Sequence, residues 1–468
     1  MSYFSFVYLG IFSLIISVLS FFNIIYSYYF NLYLSLDSYI YSLIISLFVG
    51  LIFLIIKKEN YKISIYHKIL VVFLGYLILP LIISIPFYFS IYNVSFLDAY
   101  FEAISGFTST GFTIFDNIKH LDESLILWRS SSQWIGGLYF LFSIILLIDI
   151  FDNSLKKSLT NFFSFNRSEL LKQISKILIL YILLTFSIFL ILSIFNFRLF
   201  NSFNLAMTII SSGGFLPVNN LSNIVNSNIK EIVLSLIMLV SFFSIFLSYN
   251  LFFFKRKNIN FFQEDIYLFF YFITLIIIFH LLLNQNYNFS SLLLSITSSI
   301  SNIGISLEDS PKNLSFIFLI LSIIGGSFFS TSSGIRFFKL YTLFKFSINN
   351  LISGVRPKNI FSNKHFLFDI KFSNIEINKY FLSVIIFILT LFILTSFLTF
   401  SGISFDRSFK LATLTLMNTV NSSMYDFIDF NFQELHFLIK HYLIIFMIIG
   451  RVEFLTLFII IKKFLFKN

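Results

Sequence analysis

Cysteine is absent from this chain, and proline is scarce, with 5 in 468 residues. The first absence excludes disulfides, thiolate metal sites and cysteine nucleophiles together. Charge is scarce as well: Asp, Glu, Lys and Arg make up 12% of residues, against 57% apolar. No soluble domain can hide 70 phenylalanines in one core, so the chain is read as an integral membrane protein. The alternating pattern of a membrane barrel is also missing, which leaves helices. The six histidines show no metal-ligand spacing such as HExxH. A phosphate-binding GxxxxGK(S/T) loop is missing too, so any nucleotide control must come from another subunit.

The charge that is present has an order. A net charge of +10 comes from basic residues in short clusters between apolar runs. These are Lys57, Lys58, Lys62 and Lys68; Lys156, Lys157, Arg167 and Lys172; Lys255, Arg256 and Lys257; Lys339 to Lys379; and Lys462, Lys463 and Lys467. No basic face suited to nucleic acid results, whereas the rule that cytoplasmic loops are positive accounts for the alternation. The intervening connections lean acidic, with Asp98, Glu102, Asp116, Asp122, Glu123, Glu308, Asp309, Asp426, Asp429 and Glu434. Both termini and the basic loops are therefore expected in the cytoplasm. The first apolar run begins at Tyr3 without a basic leader or a small-residue cleavage site, and is expected to be a retained span.

Two spans come first, near 3–27 and 38–56, and then one pattern recurs four times: long apolar span, short apolar stretch, polar interruption, long apolar span. The short stretches near 97–108, 201–211, 289–300 and 405–417 cannot cross a bilayer as helix at 1.5 Å per residue, and read as re-entrant half-helices. The expected fold is all-α and membrane-embedded, with about ten spans, four half-helices and four pseudo-symmetric repeats in one chain. The divisions are 1–68 for the two leading spans, then 69–150, 151–258, 259–350 and 351–468 for the repeats.

The four interruptions are Thr108-Ser109-Thr110-Gly111, Ser211-Ser212-Gly213-Gly214, Ser301-Asn302-Ile303-Gly304 and Asn418-Thr419-Val420-Asn421. Non-helical backbone at membrane depth is tolerated only inside protein or facing water. Consecutive carbonyls and hydroxyls around an axis can replace the water shell of a cation without fixed charge. Glycine, or asparagine as a substitute, supplies the positive φ that aims such carbonyls. One such triplet would be an ordinary turn. Four, each behind a half-helix and spaced 103, 90 and 117 residues apart at Gly111, Gly214, Gly304 and Asn421, point to one filter. The candidate ligand residues are Ser109, Thr110 and Gly111; Ser212, Gly213 and Gly214; Asn302, Ile303 and Gly304; and Thr419, Val420 and Asn421. Two further features lie within apolar segments. Gly325-Gly326-Ser327 through Gly334 should break a helix in the third repeat, and Arg451, with Glu453 as its nearest partner in sequence, places charge at membrane depth.

Several stretches together resemble the Trk/Ktr/HKT cation transporters, over roughly residues 69 to 464. They are Phe101-Glu102-Ala103 leading to Ser105-Gly106-Phe107-Thr108-Ser109-Thr110-Gly111; Trp128-Arg129 with Gln133-Trp134-Ile135-Gly136-Gly137; Ile324-Gly325-Gly326-Ser327 with Ser330-Thr331 and Gly334-Ile335; and Gly450-Arg451-Val452-Glu453. The resemblance implies potassium uptake across the cytoplasmic (inner) membrane through a four-loop filter, with K+ the transported ion and no bound cofactor. It implies that Gly325, Gly326, Ser327 and Gly334 belong to an intramembrane gate, and that Arg451 points into the pore below the filter. It further implies a homodimer and a cytoplasmic ring of nucleotide-binding regulatory subunits of the TrkA/KtrA type, docked on basic loops that include 336–379. Family members usually read Asn-Asn-Val-Gly-Pro-Gly at the fourth loop, where this chain has Asn418-Thr419-Val420-Asn421-Ser422-Ser423. That departure keeps a sodium-selective or non-selective monovalent cation transporter as the alternative. A membrane enzyme would need carboxylate or histidine clusters facing one another within the spans, and a scaffold would have no use for four loops in register.

Overall fold

The computed structural model describes residues 6–55, 65–151, 170–245, 260–282, 288–355, 374–427, 430–452 and 456. Glu453, Asp429 and most of the basic clusters, including Lys57 to Lys62, Lys156 to Arg167, Lys255 to Lys257, Arg356 to Lys371 and Lys462 to Lys467, lie outside the described residues.

The architecture is all-α and multi-pass. Helices α1 (Phe6–Tyr29) and α2 (Leu36–Ile55) form a leading pair. Four repeats follow: α3 (Ile65–Tyr88), α4 (Phe96–Phe107) and α5 (Glu123–Phe151); α6 (Leu170–Ile194), α7 (Leu199–Ile210) and α8 (Asn228–Phe242); α9 (Asn260–Leu282), α10 (Phe289–Ile300), α11 (Ser315–Ile323) and α12 (Phe337–Val355); and α13 (Asn374–Phe400), α14 (Phe405–Met417) and α15 (Phe437–Val452). Among the described residues, seven helices are long and apolar enough to cross a bilayer: α1, α2, α3, α5, α6, α9 and α13. The second spans of the last three repeats are shorter or broken, and the third is split between α11 and α12.

The half-helices α4, α7 and α10 have 12 residues and α14 has 13. At 1.5 Å per residue they extend about 18–20 Å, well short of the roughly 30 Å hydrocarbon core. Each packs on the first span of its own repeat and on a second span of the preceding one. The pairs α5 with α7, α8 with α10, α11 with α14, and α15 with α4 close a ring of four in chain order. Repeats 1 and 3 therefore face each other, as do repeats 2 and 4.

On the leading pair, small and polar residues line the contact between the two helices. Between α1 and α2, Gly10 and Gly50 approach closely, Ser13 Oγ donates to the Ser46 carbonyl at 2.8 Å, and Ser20 and Ser42 share a 3.1 Å hydrogen bond. Phe21, Phe22 and Phe48 on the same helices are exposed. In lipid no hydrophobic force draws helices together, so close approach at small residues and interhelical hydrogen bonds supply the packing. Helix α5 is buried in protein at every position from Ser124 to Ile148. Its Gly136-Gly137 pair explains how it fits between two half-helices. A Cβ on Gly136 would overlap the Phe107 carbonyl at the end of α4, and one on Gly137 would lie 2.6 Å from the Ser211 Cβ at the end of α7. Gly136→Ala is expected to destabilise the protein by about 1–3 kcal/mol through overpacking. Thermal unfolding in detergent checks this, and an unchanged midpoint would refute the close approach.

Candidate functional site

All four half-helices end in the same hydrogen-bonded cap. Ser109 N donates to Gly106 O and Thr110 N to Ser105 O; Ser212 N to Ile209 O and Gly213 N to Thr208 O; Asn302 N to Ser299 O and Ile303 N to Ser298 O; Asn418 N to Thr415 O and Thr419 N to Leu414 O, at 2.7–3.3 Å. The residue in the left-handed region is Ser109, Ser212, Asn302 and Asn418, with φ of 58°, 55°, 58° and 48°. This is the Schellman arrangement, which satisfies carbonyls at a helix end that lipid cannot.

The caps correct the register read from sequence at the fourth loop. Asn418 matches Ser109, Ser212 and Asn302, so Val420, not Asn421, stands opposite Gly111, Gly214 and Gly304. The reason is local: helix α14 ends at Met417, and asparagine, the non-glycine residue most at ease at positive φ, follows at once. Asn421 has no positive φ. It lies one residue beyond the ring, half-buried, with its Nδ2 3.5 Å from the Phe427 carbonyl. The expectation that glycine supplies the positive φ holds at Gly111 (85°) and Gly304 (81°), which face each other, while Gly214 and Val420 form the pair without it.

Side chains behind the loops brace them. Glu102, fully buried on α4, accepts from Ile114 N at 2.9 Å, Thr113 Oγ1 at 3.1 Å and Arg129 Nε at 2.8 Å. The Arg129 guanidinium lies 4.2 Å from the ring centroid of Phe215, and Gln133, one turn along α5, accepts from Phe215 N at 3.2 Å. One face of α5 thus supports loops 1 and 2. Loops 3 and 4 are tied instead by amides. Asn302 Nδ2 donates to Ser322 O at 2.6 Å and to Thr419 Oγ1 at 3.3 Å, and Asn418 Nδ2 to Thr110 Oγ1 at 3.0 Å and Met447 O at 2.9 Å.

Arg451 contacts both the loops and the third-repeat interruption. It hydrogen-bonds Ser333 Oγ, and its Nη2 lies 3.3 Å from Ser109 Oγ and 3.4 Å from Ser211 O. The interruption, 324–336, is opened by a parallel pairing of Ile324-Gly325 with Ile335-Arg336. Gly325 and Gly334 sit back to back. Gly334 has φ of 80°, and a Cβ there would lie 2.9 Å from Gly325 N. Ser327 N donates to Phe242 O and Ser332 N to Ser241 O, so the end of α8 is capped by this loop. Gly326 N donates to Ser332 Oγ within the loop at 2.9 Å.

Two residues in this region, Glu264 and Phe140, escaped the sequence reading, and a third, Arg336, assigned from sequence to a basic docking loop, is buried here. Glu264 on α9 accepts from Phe328 N at 3.0 Å and Ser327 Oγ at 3.1 Å. Arg336 gathers the carbonyls of Ser327, Ser330 and Ser332. Phe140 on α5 has two guanidinium groups over its ring, Arg451 at 3.8 Å and Arg336 at 5.1 Å from the centroid. The buried carboxylate and arginine carried a signal in sequence, as charge in an apolar context. Phe140 among 70 phenylalanines carried none.

Outside the ring a cavity of about 470 Å³ opens, lined by Gly111, Gly214, Val420, Thr113, Asp116 and Glu308 among others. Not every acidic residue belongs to that rim. Glu102 is the buried partner of Arg129, Asp98 pairs with Lys440 of α15, and Glu123 pairs with Arg198 at 3.3 Å.

The Glu102–Arg129 pair has a measurable consequence. Arg129→Met strands a buried carboxylate and is expected to cost about 3–5 kcal/mol, while adding Glu102→Gln should recover much of the loss. Thermal unfolding of the two single variants and the double variant checks this, and simple additivity would refute the coupling.

No family model matches the chain. It is 27% identical over 318 residues to an uncharacterized cation transporter of Methanocaldococcus jannaschii, an alignment spanning 66% of this chain and 65% of that protein. It is 24% identical over 433 residues to the Trk system potassium uptake protein TrkG of Escherichia coli K12, covering 88% of each. Its fold superimposes on the crystal structure of the potassium transporter TrkH from Vibrio parahaemolyticus with a TM-score of 0.83, at 19% identity and over 98% of both chains. By sequence over most of its length and by fold over nearly all of it, the chain resembles the membrane subunits of the Trk/Ktr/HKT family and has a TrkH-like architecture.

Proposed function

We propose that this protein takes up potassium across the cytoplasmic membrane through the four-loop ring. The observation that carries the reading is the convergence of four identically capped half-helices on one ring, with Arg451 hydrogen-bonded between two of its loops and the interruption at 324–336. The C-terminal end of each half-helix carries about half a negative charge, which favours a cation at the centre. Carbonyls and hydroxyls of Ser109, Thr110, Gly111, Ser212, Gly213, Gly214, Asn302, Ile303, Gly304, Thr419 and Val420 are the proposed ligands. Asn421 drops out of that set.

Asp116 and Glu308 concentrate cations in the outer cavity, an attraction that salt weakens beyond about 8 Å. Exchange of water for filter oxygens is close to balanced, and the membrane potential adds about 2.3 kcal/mol per charge per 100 mV, which sets the inward direction. No covalent step is involved. Residues Gly325, Gly326, Ser327 and Gly334 with Arg451 form the gate. Arg451 raises the barrier by its charge, and its hydrogen bond to Ser333 holds the loop beneath the ring. The names of the relatives, Trk system potassium uptake proteins, support potassium as cargo and a multi-subunit setting. The proposed assembly is a homodimer with a cytoplasmic nucleotide-binding subunit, and both termini in the cytoplasm.

One observation favours the alternative of a sodium-selective or non-selective transporter: the fourth corner of the ring carries Val420 rather than glycine. Flux into proteoliposomes with potassium and sodium exchanged separates the two readings, and absence of flux for either ion would refute both. Arg451→Ala is expected to speed uptake several-fold at equal protein. Deletion of Ser327 to Ser332 should do the same without altering ion preference. Slower uptake by a normally folded Arg451→Ala protein would count against the gate.

A further inference from the structure

Three corners of the ring have no side chain, and the fourth has two methyl groups. A Cβ placed on Gly111 would lie 3.0 Å from the Cβ of Val420 and 3.0 Å from the Cα of Gly214. One placed on Gly214 would overlap the Val420 Cβ and lie 2.6 Å from its Cγ1. Gly214 and Val420 belong to repeats 2 and 4, which face each other across the ring. A side chain that touches both a neighbouring loop and the opposite loop lies across the centre. Val420 is 9% exposed, and that exposure opens into the outer cavity, where it lies beside Gly111 and Gly214.

The side chain is held there. Thr419 N is bonded to Leu414 O at 3.0 Å, Thr419 Oγ1 accepts from Asn302 Nδ2, and on the far side Ser423 bonds Ser306, Ser310 and the Leu307 carbonyl at 2.6–3.0 Å. A β-branched side chain on a pinned backbone has few rotamers to move into. Val420, like Gly214, does not take a positive φ, so a valine fits there without backbone strain.

We propose that Val420 is an apolar bar across the outer end of the ion path, which limits throughput and sets the size of cation admitted. This rests on the transport reading above. Methyl groups offer a cation no ligand, and an apolar constriction resists passage by excluding water. Ions must pass beside Val420 on the glycine-lined sides, or wait for it to move.

The test uses the absence of cysteine. Val420→Cys gives a protein with a single thiol, close in volume to valine. Reconstituted into potassium-loaded liposomes and assayed by rubidium tracer uptake, it is expected to lose most of its uptake when a cationic methanethiosulfonate is added outside. The cysteine-free parent should be unaffected. In parallel, Val420→Ala should raise rubidium uptake several-fold and admit caesium, and the one-methylene addition of Val420→Ile should lower uptake. The bar is overturned if Val420→Cys transports but the reagent leaves its uptake unchanged, or if Val420→Ala and Val420→Ile both transport at the parent rate. If the parent itself shows no uptake above empty liposomes, the transport reading fails, and the bar with it.

Discussion

A helix that stops inside a membrane leaves carbonyls that lipid cannot satisfy, and everything else in this structure follows from how those ends are closed. Four half-helices stop at Phe107, Ile210, Ile300 and Met417. Each is closed by its own backbone through a left-handed residue and two reversed hydrogen bonds. The cap turns the chain sharply at the helix end and delivers the next two residues to the centre. Surrounding helices can approach because they present glycine at the crossing, as α5 does with Gly136 and Gly137 and α15 with Gly450.

The same constraint explains why the third repeat is broken where it is. Residues 324–336 leave helical geometry within the protein, so their peptide groups need partners there. They find them in the carbonyls at the end of α8, in the Glu264 carboxylate and in the Arg336 guanidinium. Arg451 adds one more link, from Ser333 to Ser109 and Ser211. Ring and interruption are therefore joined by hydrogen bonds, to which Ser212 and Thr331 add a further contact at 3.4 Å.

Fourfold architecture does not bring fourfold chemistry. Loops 1 and 2 share the face of α5 that carries Arg129 and Gln133, whereas loops 3 and 4 are tied by Asn302 and Asn418. The backbone alternates as well: Gly111 and Gly304 take positive φ, and Gly214 and Val420 do not. A valine is tolerated at one of the two corners where L-residues are unstrained, and would be strained at the other two.

Much of this was legible in the chain itself. Apolar run lengths distinguish full spans from half-helices, because bilayer thickness and helix rise are fixed, and the four polar interruptions mark where backbone must be enclosed. Charge at membrane depth picks out Arg451 by its cost alone. Register at the fourth loop was not legible. Asn418 and Asn421 suit the left-handed region equally well in sequence, and the choice between them depends on which peptide groups of α14 are left to satisfy. Nor could the chain show that Val420 meets Gly111 and Gly214, or that Phe140 meets both Arg336 and Arg451. Those contacts join segments about 200 to 310 residues apart. The order of repeats around the ring decides them, and that order is a property of packing.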